Sequence, residues 1–320
     1  MQVEFTYLPG PHRAARGGAE TPFFFDFQTA RRLLTEVERA GFERVVVDDA
    51  GGLLSNMDLA AQAIRSTRVV DISLTHWADT IEPAVAARQL AALDRLGGGR
   101  LSVRVTTAFG VPASHVETLQ RTDEYLVLLK RLWANDEPFD HEGPAYSLRN
   151  GFVARKGPRG AEIPFRMNGL SGTAFRVAGR HADVFELPFA EADQLAHVIE
   201  RVRQAAVECG RAGRPKFALP LDFGNIVNGL AETAKEGKLA FGDRSPERIT
   251  LALLPYVSIG VSEFMVSGLN DRKSIADFGE RVIPIVKNST ARHDKAEVSW
   301  PHSTGTVPVW PAHEASTARH

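Results

Sequence analysis

Eight short apolar runs, amphipathic stretches between most of them, and no glycine-rich dinucleotide turn after the first run predict an α/β protein. The architecture they imply is a closed (β/α)8 TIM barrel with loop insertions. Parallel strands joined by helices need right-handed crossovers, and about eight such units in roughly 290 residues suit a closed barrel better than an open sheet. An open doubly wound sheet is the alternative, but it would normally carry G-x-G-x-x-G after its first strand. The corresponding turn here is LPGPHR, residues 8–13.

Taken in order, residues 2–8 (QVEFTYL) read as the first strand. Residues 27–41 follow as a helix, with Ala30, Leu33, Leu34 and Val37 on one face and Gly41 as its stop. Residues 43–49 (ERVVVDD) are a buried strand with an acidic end. A helix over 56–65 leads to the third strand, 69–77 (VVDISLTHW). Pro83 suits the first turn of the next helix. Val85, Ala86, Leu90 and Leu93 give that helix its sheet-facing side, and Gly97 to Gly99 can end it in left-handed backbone. RLSVRVTT (100–107) is then the fourth strand. Strands five to eight fall at 165–170, 183–188, 217–227 and 263–269, and a last helix spans 274–287. Residues 9–26, a hairpin within 136–164, and 228–246 interrupt the rhythm. The barrel is expected over 1–288, with 289–320 as an extended or mobile tail.

The composition excludes several classes of function. The 320 residues carry a formal net charge of -1 with no basic stripe, which argues against nucleic acid or an anionic membrane as partner. One cysteine, Cys209, excludes an internal disulfide or a cysteine-rich zinc site. No run of about 18 apolar residues is present, and the N-terminus reads as a strand rather than a signal peptide. A cytoplasmic protein is expected. A metal-dependent hydrolase would need several ligands at strand ends, and beyond His76 and Asp49 a third and fourth are not evident.

In a barrel, the C-terminal strand ends face the active site. That places Asp49, Thr75, His76, Thr106 and Thr107 at the mouth. His76 and His12 are the acid–base candidates, because both follow strands and imidazole titrates near neutrality. Arg104 alternates with Val103 and Val105. If it points inward it needs a carboxylate, with Glu186 or Asp222 in reach; otherwise it lies outside under a helix. MNGLSGTAFRVA (167–178) is a turn followed by a helix start, whose free amides favour an anion. His141 and His181 read as structural, Trp133 as helix core, and Phe23 to Phe25 as packing for the first loop.

EPAVAARQLAALDRLGGGRLSVRVTT (82–107) resembles the helix-three to strand-four signature of the bacterial luciferase-like flavin-dependent monooxygenases. QRTDEYLVLLKRLWANDEPFDHEGPAYSL (120–148), IPFRMNGLSGTAFRVAGRHADVFEL (163–187) and YVSIGVSEFMVSGL (256–269) resemble later family segments in the same order. The similarity covers most of residues 2 to 288. LTHWADTIEPAVAARQ (74–89) is most similar to the alkanesulfonate monooxygenase branch. The resemblance implies an enzyme that uses FMN in its reduced form, FMNH2, and activates O2 as a flavin C4a-peroxide to oxygenate a small organic substrate, with a sulfonate or related organosulfur compound as one class. It implies a separate NAD(P)H:flavin reductase as partner, and a homodimer or homotetramer. It places the FMN phosphate at the turn Asn168, Gly169, Ser171, Gly172 and Thr173, with Arg121 neutralising it. The deazaflavin F420 in a hydride-transferring relative is the alternative, as is a non-catalytic flavin-binding protein. The alkanesulfonate enzymes carry Arg and His on strand seven where this chain has Pro220 and Asp222. Arg13, Arg16 and Arg166 remain as anion contacts, and Arg166 and Asp222 are the candidate substrate residues.

Overall fold

In a computed structural model of the protein, residues 3–10, 12–13, 20–21, 23–24, 26–48, 55–78, 80–107, 115–211, 213–223 and 245–298 are described. The side chains of 12–13, 20–21, 107, 115 and 292–298 are not. Asp49, Arg16, Phe25 and the segment 228–244 therefore lie outside the described residues, as do residues 299–320.

Eight parallel strands close into a barrel. They are β1 (Glu4–Tyr7), β4 (Arg44–Val47), β5 (Asp71–Ala78), β6 (Leu101–Thr107), β9 (Phe165–Met167), β10 (Val184–Glu186), β11 (Lys216–Asp222) and β12 (Val261–Ser267). Two antiparallel pairs lie apart from the barrel: β2 (His12–Arg13) with β3 (Glu20–Thr21), and β7 (Phe139–Glu142) with β8 (Ser147–Gly151). The second pair is the hairpin excursion expected between 136 and 164. The helices are α1 (Phe27–Arg39), α2 (Asn56–Ser66), α3 (Pro83–Gly97), α4 (His115–Ala134), α5 (Gly172–His181), α6 (Ala192–Glu208), α7 (Pro246–Ser258), α8 (Arg272–Arg281) and α9 (Ile283–Val298). The closed barrel is the expected fold, and the open sheet is excluded.

Local chemistry accounts for the element ends. Asp26 caps α1 by accepting from the Gln28 amide at 3.0 Å, and Ala30, Leu33, Leu34 and Val37 are buried on one face. Gly98 ends α3 in left-handed backbone (φ 61), so the turn into β6 needs only two further residues before Leu101. The last helix differs from expectation. It is two helices, because Pro284 cannot continue one helix through its own missing N–H and instead takes the second position of α9. The second of them runs to Val298, ten residues past the expected end of the barrel domain.

The main apolar core lies between the strands and the surrounding helices. It includes Trp133, whose indole N–H donates to the Ala87 carbonyl at 2.9 Å, and Phe23 and Phe24, which pack beside Tyr7. The barrel interior has only a small apolar layer of Val46, Val184, Ala218 and Met265. Its centre is ionic. Arg166 is fully buried and donates to Glu186 at 3.0 Å and to both carboxylate oxygens of Glu263, at 2.7 and 3.0 Å. Arg166 had been expected at the substrate; both of its carboxylate partners sit inside the barrel and take up its charge there. Arg104 points inward and donates to Glu186 at 2.7 Å, while Arg44 donates to Glu263 at 2.8 Å. The Thr6 hydroxyl also donates to Glu263, at 2.5 Å.

Burial alone would raise the Glu263 carboxyl, but Arg166 and Arg44 overcome it and hold the pKa at about 2. This stabilisation is present above the ordinary carboxylate value and is lost as pH falls from about 4.5 toward 2. Replacing Glu263 by Gln leaves the buried Arg166 and the partly buried Arg44 each short of a carboxylate. We expect the urea midpoint at pH 7 to fall by the equivalent of about 3–5 kcal/mol. The triple replacement Arg166→Met, Glu186→Leu, Glu263→Leu should not lower the midpoint further than Glu263→Gln does. An unchanged midpoint in Glu263→Gln would deny the network its structural weight.

Candidate active site

Helices α4 and α5 follow β6 and β9, so both begin at the C-terminal end of the barrel, and they pack against each other. A cavity of about 390 Å³ opens at this end, within the size range of small-molecule sites. Leu8, Met265, Pro188 and Leu187 give it apolar walls, and Arg104, Glu186, Asn168 and Gly169 supply its polar edge.

The turn from β9 into α5 builds one side. Gly169 has φ 124, a conformation a side chain would strain, and a Cβ there would stand 2.8 Å from that of Ala174. Ser171 is the N-cap: its hydroxyl accepts from the Ala174 amide at 3.1 Å and its carbonyl from the Phe175 amide at 2.9 Å. The Gly172 and Thr173 amides have no acceptor among the described residues. A Cβ added at Gly172 would meet nothing within 4 Å. Two free N–H groups at the positive end of a helix, facing open space, fit an anionic group such as a phosphate. Arg121, on the second turn of α4, lies with its guanidinium 5.2 Å from the centre of the Tyr146 ring. The structure thus brings Arg121, Asn168, Gly169, Ser171, Gly172 and Thr173 to the same end of the barrel.

The remaining residues divide by strand parity. Thr75 pairs with Arg104 and Trp77 with Thr106 across β5 and β6, so Thr75 and Thr106 share the inward face with Arg104. The Thr75 hydroxyl is buried without a partner among the described residues. Thr107 closes β6, and Asp222 ends β11, half-buried. His76 has the opposite parity. Its Nε2 lies 2.8 Å from the Tyr125 hydroxyl of α4, outside the barrel wall, and it is buried. This corrects the expectation of a catalytic His76 at the mouth: the strand turns it toward the helices. Burial lowers its pKa to about 4, so it is neutral at physiological pH. His12 lies in β2, apart from the barrel sheet. Arg104 was open between an inward reading, with Glu186 or Asp222 as partner, and an outward one under a helix; the structure takes the inward one, with Glu186.

His141 accepts or donates at Glu124, 2.8 Å away, and His181 at Asp123, 2.6 Å away. Both pairs tie α4 to its neighbours, as expected of structural histidines. Among the described residues no cluster of three or more His, Cys, Asp or Glu could hold a metal ion, and no helix is long and apolar enough to cross a membrane.

A closed parallel barrel of this topology, with two amides of a helix start left without an acceptor among the described residues at its mouth, defines a fold class with room for an anionic group at the strand ends. The particular family follows from comparison. The luciferase-like monooxygenase family model matches residues 3–245, and the chain belongs to that family. The FMNH(2)-dependent dimethylsulfone monooxygenase of Pseudomonas putida is 22% identical over 324 residues, covering 82% of this chain and 89% of that protein. EDTA monooxygenase from Chelativorans sp. BNC1 superposes with a TM-score of 0.75 at 15% identity, over 90% of this chain and 94% of that one. An F420-dependent secondary alcohol dehydrogenase, in complex with an F420-acetone adduct, shares the fold with a TM-score of 0.71 at 18% identity, over 89% of this chain and 99% of that one.

The sign for His76 follows from its lowered pKa. Its neutral form is favoured in the fold, so it stabilises above pH 6.5 and that contribution is lost as pH falls through 4. Between those values wild type should lose stability, by roughly 3 kcal/mol from this residue. His76→Gln, which keeps a partner for Tyr125, should lose less. Urea midpoints at pH 7 and pH 4.5 test this; equal losses in the two proteins would contradict the assignment.

Proposed function

We propose that this chain is a reduced-flavin-dependent monooxygenase that acts on a small, uncharged organic compound, with an organosulfur compound such as a sulfone as the best-supported class. Family membership supports oxygenation. The observation that carries the cofactor assignment is the free Gly172 and Thr173 amides at the start of α5, on the helix beside Arg121. When bound there, reduced FMN would supply the electrons that activate dioxygen, one oxygen atom going to the substrate and the other leaving as water. The residues of the chain bind, orient and shield. Ser171, Gly172 and Thr173 hold the phosphate, and Arg121 balances its charge. Thr75 and Thr106, on the inward face of adjacent strands, are placed to hydrogen-bond a ring over the mouth. Leu8, Leu187, Pro188 and Met265 keep water from the reacting face. A separate NAD(P)H:flavin reductase is the partner this requires.

The charge at the mouth supports an uncharged substrate. Arg104 is the one cation lining the described part of the cavity, and it is already bonded to Glu186 at 2.7 Å and paired with Asp48 at 3.5 Å. Asp222 adds a further carboxylate at the same end of the barrel. A sulfonate would find no uncommitted cation in the described lining of that cavity. The dimethylsulfone enzyme of Pseudomonas putida is the relative whose substrate matches this character. A phosphate cradle would equally hold a phosphorylated deazaflavin, and the F420-dependent fold neighbour favours that as the second reading.

Two measurements test these readings. With a generic reductase, NADH, FMN and oxygen, a dialkyl sulfone should be oxygenated at least tenfold faster than an alkanesulfonate of equal length. Product from the sulfonate alone would reverse the substrate class, and oxygen-independent turnover with reduced F420 would reverse the cofactor. In flavin titrations, Arg121→Ala should weaken FMN binding by about tenfold, the size of one charge-assisted contact. Gly172→Val should weaken it further by filling the cradle. Wild-type affinity in both variants would remove the phosphate site.

A further inference from the structure

The N-terminal end of the barrel holds a second cavity, of about 410 Å³, which the proposed flavin site does not use. The first residues of four strands, Glu4, Arg44, Asp71 and Lys216, stand around it, with Arg166 reaching it from the barrel interior. Arg159, Arg211 and Arg214 complete the lining from the neighbouring loops. The cavity is thus lined by six cationic side chains and three carboxylates, the third being Asp183.

Each carboxylate is already committed. Glu4 pairs with Lys216 at 2.8 Å and with Arg44 at 3.4 Å, and Asp71 pairs with Arg44 at 3.4 Å. Asp183 pairs with Arg211 and accepts from the Phe165 amide at 2.8 Å. Glu263, behind them, serves Arg44 and Arg166. Two guanidiniums keep unbonded terminal nitrogens. Arg159 uses its Nε on the Gly99 carbonyl and lies near enough to Asp71 and Asp94 to act on both through charge, but its terminal nitrogens have no hydrogen-bond acceptor among the described residues. Arg214 is exposed and has no partner among the described residues. The Arg44 Nε is buried and also unpartnered.

Cationic excess in a concave site focuses potential on an anion, and guanidinium forks match a tetrahedral oxyanion with two or more acceptor oxygens. A neighbouring groove of about 400 Å³ along α6 shares Arg211, Gly213 and Arg214 and adds Arg203 and Glu200, leaving room for a body larger than the anion itself. We propose that this cavity is a second anion site, at the end of the barrel opposite the flavin mouth, which takes a phosphoryl group on Arg159 and Arg214. Inorganic phosphate and the phosphate end of a nucleotide share that chemistry.

The test is calorimetric titration of the full chain at constant ionic strength, with sodium phosphate and with AMP as probes. The Arg121→Ala protein is the background, so that phosphate binding at the mouth is already weakened. Binding should persist in that background and weaken at least tenfold when Arg214→Glu is added. Arg214 is exposed and unpartnered, so this change leaves the fold intact, and Arg159→Gln gives an independent second variant. AMP binding more tightly than phosphate would assign the groove along α6 to the nucleotide body; equal affinity would assign the site to free phosphate. Either outcome supports the site. No measurable binding in the Arg121→Ala background, or binding unchanged by both Arg214→Glu and Arg159→Gln, would overturn it.

Discussion

The interior of this barrel depends on one buried guanidinium. Arg166 is removed from water, and an unpaired ion in that position would cost several kcal/mol. Glu186 and Glu263 offset that cost, and each is shared with a further arginine, Arg104 toward the mouth and Arg44 toward the opposite end. The result is a column of alternating charge along the barrel axis, in a space that such folds commonly fill with branched apolar side chains. The arrangement also constrains register. Shifting β9, β10 or β12 by one residue would turn Arg166, Glu186 or Glu263 into the apolar layer under the helices, which the alternation of strand side chains forbids without large cost.

The column sets what each end of the barrel can do. At the C-terminal mouth it delivers Arg104 already paired with Glu186, so under the proposed function a phosphate would be drawn by the start of α5 and by Arg121 instead. At the N-terminal end it terminates in Arg44, whose charge is divided among Glu263, Glu4 and Asp71. There the surrounding arginines outnumber the remaining carboxylates. Among the described residues, one ionic core thus separates a mouth cavity whose one lining cation is committed from a base where Arg159 and Arg214 keep unbonded guanidinium nitrogens.

Much of this was legible in the chain itself. The strand and helix order came from apolar periodicity and from punctuation such as Pro83 and Gly98, whose backbone requirements are local. The helix start at Ser171 was legible for the same reason, since a helix start is a property of neighbouring residues. Strand parity was not. DISLTHWA carries polar residues on both faces, so alternation does not say whether Thr75 or His76 points inward; the pairing of Thr75 with the inward Arg104 decides it. Arg166 read as an available cation because its partners lie 20 and 97 residues away. The split between α8 and α9 turned on Pro284, which an otherwise continuous helical pattern concealed.

The outward turn of His76 changes the chemistry that the protein itself can contribute. Around the described part of the mouth cavity the titratable side chains are Arg104 and Glu186. Glu186 accepts from two guanidiniums, one on each carboxylate oxygen, so both oxygens are committed inside the barrel rather than to a substrate. No imidazole lines this part of the cavity to shuttle protons. A site of that composition has positioning, hydrogen bonding from threonine hydroxyls and exclusion of water as its available means, and it leaves the bond-making to a cofactor. Under the proposed function the same composition gives a ground for substrate selection: with Arg104, the one guanidinium of the described lining, committed to Glu186, the described part of the mouth would disfavour anions by charge and choose among neutral compounds by the shape of Leu8, Leu187, Pro188 and Met265.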